Sequence, residues 1–260
     1  MDIAVASGKG GTGKTLIAVS LASWCAREGT PVALLDCDVE GANAHLFLHP
    51  DLRTREEVVI PYPTVDRSKC DLCGLCVSEC HFGAMVRLGN KVKVMQNLCH
   101  GCGVCRLVCP RSAVVMSGRP VGTVHMGTAG LMRFFCGELS TGEALSVPII
   151  KRLKKEMDDT VIIDCPPGTS CPAVESVEGS DFALLVIETA LGQPAGILSE
   201  MCSEVCSIGG GNADRLRLAQ GRHGAVPPVA DPLRRHGPPP DHRRPVRRLR
   251  ALLAAGRRTG

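Results

Sequence analysis

The chain opens on a short apolar run, Asp2-Ile-Ala-Val-Ala, which stops at a cluster of glycines. Lys14 to about Glu28 reads as a helix, and Gly29 ends it. Pro31 to Asp36 is a second apolar strand. A strand, loop, helix and strand in this order form a βαβ unit, which predicts a mostly parallel α/β sheet flanked by helices. Near residue 57 the pattern changes. From about Val58 to Gly118 the apolar runs are short and no long helical period appears. The α/β texture then returns: Ile149–Met157 as the end of a helix, Val161–Asp164 and Phe182–Ile187 as strands, and Gln193–Cys206 as a helix. The pattern divides the chain into 1–57 and 119–207, two parts of one α/β domain, an inserted domain at 58–118, and a tail at 208–260. Pro238-Pro239-Pro240 and Arg243-Arg244-Pro245 predict an irregular, disordered tail.

Composition sharpens this picture. Apolar residues make up 44% and aromatic residues 3%, so the core must be aliphatic. No apolar stretch is long enough to span a bilayer, and the first residues lack the pattern of a signal peptide. The expectation is a cytoplasmic protein with no membrane partner. The net charge of +4 hides an asymmetry, because the twelve arginines after residue 190 supply the excess. The main domain therefore gives no warrant for a nucleic-acid partner. No lysine follows Lys155, and the Arg, Pro, Gly and Ala bias beyond it is that of a GC-rich gene read in a shifted frame. Resequencing, with peptide masses across 185–260, tests that reading.

Gly8-Lys9-Gly10-Gly11-Thr12-Gly13-Lys14-Thr15 matches the phosphate-binding loop pattern in full and lies between a strand and a helix. Glycines let backbone N–H groups turn toward phosphate, and the helix N-terminus adds its dipole. Lys14 would reach the β- and γ-phosphates, and the Thr15 hydroxyl would ligate Mg²⁺. Asp36-Cys37-Asp38 and Asp164-Cys165-Pro166-Pro167-Gly168-Thr169 follow two of the strands. Ligands in open α/β sheets bind at such carboxyl ends.

Fifteen cysteines are many for 260 residues. Cys70, Cys73, Cys76 and Cys80 have the spacing C-x₂-C-x₂-C-x₃-C, and Cys99, Cys102, Cys105 and Cys109 repeat it 29 residues later, followed by Pro110. This is the bacterial-ferredoxin run, in which the fourth cysteine serves the other cluster. Cys70, Cys73, Cys76 and Cys109 are thus assigned to one [4Fe–4S] cluster, and Cys99, Cys102, Cys105 and Cys80 to the second. The insert is predicted to be an α+β ferredoxin-like domain. Zinc is the alternative for C-x₂-C pairs, but eight thiolates in this order favour iron–sulfur. The first run ends Cys80-His81, without the proline of the second. Cys25, Cys37, Cys136, Cys165, Cys171, Cys202 and Cys206 lie outside the runs and read as small apolar residues, although Cys165 and Cys171 flank the Gly168 turn.

From about Asp2 to Thr189 the chain resembles MinD/ParA-superfamily ATPases that contain an inserted ferredoxin domain. The resemblance implies that Lys9 reaches across an ATP-dependent homodimer to the partner's phosphates. It implies that Asp38 orients the attacking water and that Asp36 and Asp164 hold Mg²⁺ through water. Gly168 would allow backbone approach to the γ-phosphate. Three functions follow in order of preference: ATP-coupled electron transfer to an unknown redox partner, iron–sulfur cluster assembly as in related Mrp-type ATPases, and a positioning ATPase.

Overall fold

The computed structural model describes residues 1–157 and 160–187, together with the backbone of one strand at Leu216–Gln220. These residues form two compact units. The first comprises Met1–Glu56, Val124–Glu138 and the chain from Ile150 onward; the second comprises Glu57–Thr123 and Leu139–Ile149.

The first unit is built on β1 (Asp2–Ala6), α1 (Lys14–Arg27), β2 (Val32–Asp36), α2 (Ala44–Leu48), α5 (Val147–Leu153), β8 (Thr160–Asp164), α6 (Cys171–Val177) and β9 (Phe182–Ile187). The same sheet contains β3 (Asp51–Val65) and β6 (Val114–Ala129), long strands whose residues are divided between the two units, and also β7 (Met132–Leu139) and β10 (Leu216–Gln220). The order is β10-β9-β1-β8-β2-β7-β6-β3. From β10 to β7 every neighbouring pair is parallel. β6 and β7 are joined by two residues only, a connection that antiparallel neighbours alone can make.

The centre of the sheet is covered on both faces, which explains why its strands read as continuous apolar runs. All five residues of β2 and of β8 are buried. On one face Ile3, Val5, Leu34, Ile162 and Phe134 meet the buried stripe of α1, which carries Ala18, Ala22 and Ala26 at every fourth position. Alanine at those positions brings the helix axis close to the sheet, and an interior with so few aromatic rings needs that close approach to stay dense.

The second unit has the order α3 (Leu75–Ser78), β4 (Met85–Leu88), β5 (Lys91–Val94) and α4 (Val104–Leu107), bracketed by the ends of β3 and β6. β4 and β5 pair antiparallel, Met85 opposite Val94. α3 and α4 each start from a left-handed glycine inside a cysteine run, Gly74 (φ 84°) and Gly103 (φ 78°). The 29-residue repeat is therefore a repeat of local structure. Its core is thin: Cys76, Met85, Val92, Cys105 and Val114 are the buried residues at its centre.

One expectation needs correction. The tail at 208–260 contains a regular element, because Leu216–Gln220 pairs with β9 from Ala183 to Ile187. A strand edge exposes unpaired backbone groups, and satisfying that edge outweighs the Arg and Pro bias of the segment. The helix expected at Gln193–Cys206 and the rest of the tail lie outside the described residues. β3, β6 and β7 were also unforeseen. β3 is largely exposed along its first half, so it lacks the clean alternation by which a half-buried strand is recognised.

β3 and β6 approach closely at Gly127, where a Cβ would collide with the backbone carbonyl of Asp51. Gly127→Ala is expected to destabilise the protein by about 1–3 kcal/mol, read as a lower urea midpoint with an unchanged m-value.

Candidate functional site

β1 ends at Ala6 and α1 begins at Lys14, so the loop between them sits at the carboxyl end of the central strand. Gly13 takes the left-handed conformation (φ 88°) that turns the chain into the helix, and no side chain caps α1. The first N–H groups of a helix have no partner within it, and their dipole favours an anion. No protein atom lies within 4 Å of where a Cβ on Gly10 would stand, so internal packing does not explain the glycine there. Ser7 secures the loop, donating from Oγ to the Lys9 carbonyl at 2.7 Å. Lys14 is buried, Thr15 half-buried and Lys9 exposed.

Strand register brings the acids to this loop. Asp36 stands opposite Asp164 in the β2–β8 ladder, and Val5 stands opposite Asp164 in the β1–β8 ladder. Both carboxylates are fully buried, but their partners differ. Asp36 Oδ1 accepts the Asp38 N–H at 3.2 Å, and Oδ2 accepts those of Asn43 and Ala44 at 3.0 Å each. Asp36 thereby fixes the segment from Asp38 to the start of α2. Asp164 closes no hydrogen bond of good geometry on either oxygen, and the Thr12 Oγ1 is likewise buried without a partner. The unfilled acceptor capacity that a cation needs is at Asp164, while Asp36 acts first as a backbone anchor.

The charges confirm how crowded this corner is. Burial pushes Asp164 up to about 7, the Asp36 charge adds to the rise, and Thr15 and Lys14 counter it. Burial lifts Asp36 to about 6 against its three backbone hydrogen bonds. Burial also raises Asp38, and the Lys14 ammonium pulls it back. The turn after β8 is tied to the loop by the Gly168 N–H, which donates to the Ser7 carbonyl at 2.9 Å, with Gly168 at φ 87°. Lys14, Thr15, Asp36, Asp38 and Asp164 are thus brought together, and Gly168 is held to the start of the same loop. Ser7 escaped the sequence reading; its only signal was a polar residue ending an apolar strand.

In the second unit the eight cysteines of the two runs line two separate cavities. One is lined by Cys70, Cys73, Cys76 and Cys109. The other is lined by Cys80, Cys99, Cys102 and Cys105. Each cavity thus draws three thiols from one run and the fourth from the other. Burial raises the Cys76 thiol, and the neighbouring Cys70, Cys109 and Cys73 raise it further. The Ala113 N–H points at Cys109 Sγ at 3.2 Å. Phe82 stacks on His100 at 3.9 Å beside the second cavity, and His81 meets Phe82 edge-on. His100 lines that cavity; His81 is not among its lining residues.

The other described cysteines stay apart from both cavities. Burial pushes Cys25 up to about 11 and Cys136 up to about 12, and it raises Cys37 and Cys165 strongly. A thiol held neutral in this way is a poor nucleophile, and Cys165 is fully buried beside the Gly168 turn. Cys171 is exposed, and Cys202 and Cys206 lie outside the described residues.

Because the folded pKa of Asp164 lies above its ordinary value, the folded state holds a proton that the unfolded chain has released between about pH 4 and pH 7. Stability of the nucleotide-free protein should therefore fall as pH rises through that window, with Asp36 contributing in the same direction. Asp164→Asn is expected to flatten the fall and to raise stability at pH 8 by about 1–3 kcal/mol, measured by urea unfolding. The same variant should lose the tightening of nucleotide binding by Mg²⁺, measured by calorimetry.

Comparison with known proteins agrees with this geometry. Residues 3–216 match the family described as the CobQ/CobB/MinD/ParA nucleotide binding domain. An uncharacterised protein of Methanocaldococcus jannaschii is 36% identical over 194 residues, which cover 72% of this chain and 67% of that protein. An iron–sulfur cluster carrier protein of Synechocystis is 50% identical over a shorter stretch of 46 residues, 18% of this chain and 13% of that protein. Among solved structures, MinD of Pyrococcus horikoshii complexed with Mg-ADP gives a TM-score of 0.41 at 17% identity, covering 84% of this chain and 67% of that one. Among the described residues no helix is long and apolar enough to cross a membrane. With the loop, the parallel ladders and the family match spanning most of its length, the chain belongs to the CobQ/CobB/MinD/ParA family of nucleotide-binding domains.

Proposed function

We propose that this protein is an ATP-dependent iron–sulfur protein in which Mg-ATP, bound at the β1–α1 loop, gates electron transfer through two [4Fe–4S] clusters. The observation that carries the proposal is the sorting of eight thiols into two cavities of four, each completed by a cysteine from the other run. That exchange is the ligand pattern of two-cluster ferredoxins. The order strand–helix–strand–strand–helix–strand around the cysteines is also a ferredoxin-like one.

In this reading Lys14 neutralises phosphate charge, Thr15 and Asp164 hold the cation, and Thr12 lends its unpartnered hydroxyl to the same site. Asp36 holds the Asp38–Ala44 segment in place, which positions Asp38 to orient a water molecule. Gly168, hydrogen-bonded to Ser7, senses whether the loop is filled. Lys9, exposed in the loop, serves the phosphates of a partner subunit in a homodimer. Each cubane, when bound, accepts and releases one electron at low potential. The chain's part is to supply thiolates, exclude water with Val65, Val92, Met85 and Val114, and present the clusters to a redox partner protein.

A second reading, cluster assembly and delivery, is favoured by the short stretch shared with iron–sulfur cluster carrier proteins. The two readings differ in how firmly iron is held. Four thiols at each cavity, drawn from both runs, favour stable retention.

Anaerobically purified protein is expected to contain about eight irons per chain and to give a dithionite-reduced EPR spectrum that changes on addition of Mg-ATP. Zinc in place of iron would overturn the proposal, and transfer of the iron to an apo-ferredoxin within minutes would favour the carrier reading. Cys109→Ser should remove the same EPR signal as Cys73→Ser, and Cys80→Ser the other one, each leaving about four irons. Lys9→Ala should still bind Mg-ATP but elute as a monomer where the parent chain forms an ATP-dependent dimer, as read by light scattering.

A further inference from the structure

Each cysteine-lined cavity has an arginine–carboxylate pair in its surroundings, and the two pairs differ in burial. At the cavity of Cys70, Cys73, Cys76 and Cys109, Arg111 Nε donates to Asp71 Oδ2 at 3.0 Å, with side chains 64% and 40% exposed. Water and salt screen such a pair. At the second cavity, Arg119 Nη2 donates to the Cys99 carbonyl at 3.3 Å, and Arg119 Nη1 pairs with Glu143. Both of these side chains are only 7% exposed.

The buried pair has a defined orientation. The N–H groups of Ala144 and Leu145 donate to Glu143 Oε1 at 2.9 and 3.2 Å, which fixes the carboxylate. Together with Arg119 they hold Glu143 below the usual carboxylate range although its burial pushes the other way. Tyr62 presents its ring to the guanidinium at 5.9 Å, and Arg119 Nε is buried without a hydrogen-bond partner. It is the cation, and not the anion, that touches the Cys99 loop. A fixed charge in a poorly solvated site acts more strongly than the same charge in water.

We propose that Arg119, oriented by Glu143, is a positioning residue that raises the reduction potential of the cluster held by Cys80, Cys99, Cys102 and Cys105 above that of the cluster held by Cys70, Cys73, Cys76 and Cys109. The inference rests on the cluster reading above. Reduction adds one negative charge to a site, and a buried cation against that site favours the reduced form. Net charge and outer hydrogen bonds are established levers on such potentials. The screened Arg111–Asp71 pair supplies no comparable bias to the first site.

The test is an EPR-monitored redox titration of the full-length, anaerobically purified holoprotein with dithionite as reductant. Glu143→Gln leaves the Arg119 charge uncompensated and should raise one midpoint. Arg119→Met combined with Glu143→Gln removes both charges at similar volume and should lower the same midpoint. Each shift is expected to be at least tenfold in the ratio of reduced to oxidised cluster, about 59 mV for a one-electron couple. The moving signal should be the one lost in Cys80→Ser, and Arg111→Gln should move neither midpoint. Simple loosening of the fold would shift both variants the same way, so shifts of equal sign, or none, overturn the inference. A moving signal that is instead lost in Cys109→Ser also overturns it. Fewer than four irons per chain in the parent protein would sink the cluster reading, and this inference with it.

Discussion

Two carboxylates buried side by side at the end of a parallel sheet constrain the nucleotide-binding unit. Asp36 and Asp164 are neighbours because β2 and β8 pair in register, and neither reaches water. Buried charges are tolerated only when something compensates them. For Asp36 the compensation is internal: three backbone N–H groups, which in exchange hold the chain from Asp38 to Ala44. For Asp164 it is weaker: Thr15 and the Lys14 ammonium counter its burial only in part, and neither of its oxygens closes a hydrogen bond of good geometry. The unit is therefore assembled around a buried charge beside a helix N-terminus, and in the proposed function the cation of a bound nucleotide would meet it.

The second unit solves the opposite problem. Its apolar core is thin, and a small domain of that kind needs reinforcement from disulfides or metal. None of the described cysteines is in a disulfide. The thiols instead line two cavities between short helices and a hairpin, where buried Val92, Met85 and Val114 leave the interior open to a filling group. Cluster binding would thus serve folding as well as chemistry, because ligand thiolates and packing residues are interleaved at the same centre.

Much of both sites was legible because each depends on short-range rules. A phosphate loop needs glycines, a lysine and a hydroxyl at fixed offsets, so Gly8–Thr15 reads directly. The cysteine runs have fixed local spacing, so Cys70–Cys76 and Cys99–Cys105 stand out directly, and the 29-residue repeat reappears as two helices started by Gly74 and Gly103. What escaped was set by distant partners. Ser7 matters through its carbonyl to Gly168, and β3 is a strand through its neighbour β6 rather than through its own alternation. Leu216–Gln220 is a strand through the open edge of β9.

The sequence by itself determined the central βαβ unit, the loop chemistry, the acids that follow the strands and the two repeated cysteine runs. All of these follow from local spacing and from the period of apolar residues. Only the tertiary structure decided which acid keeps acceptor capacity for a cation and which arginine is shielded from solvent. Asp36 and Asp164 look alike as strand-end acids, and Arg111 and Arg119 look alike as basic residues near the cysteines. Burial and hydrogen-bond partners separate them. Both depend on which segments meet in space, and no local pattern of residues encodes that.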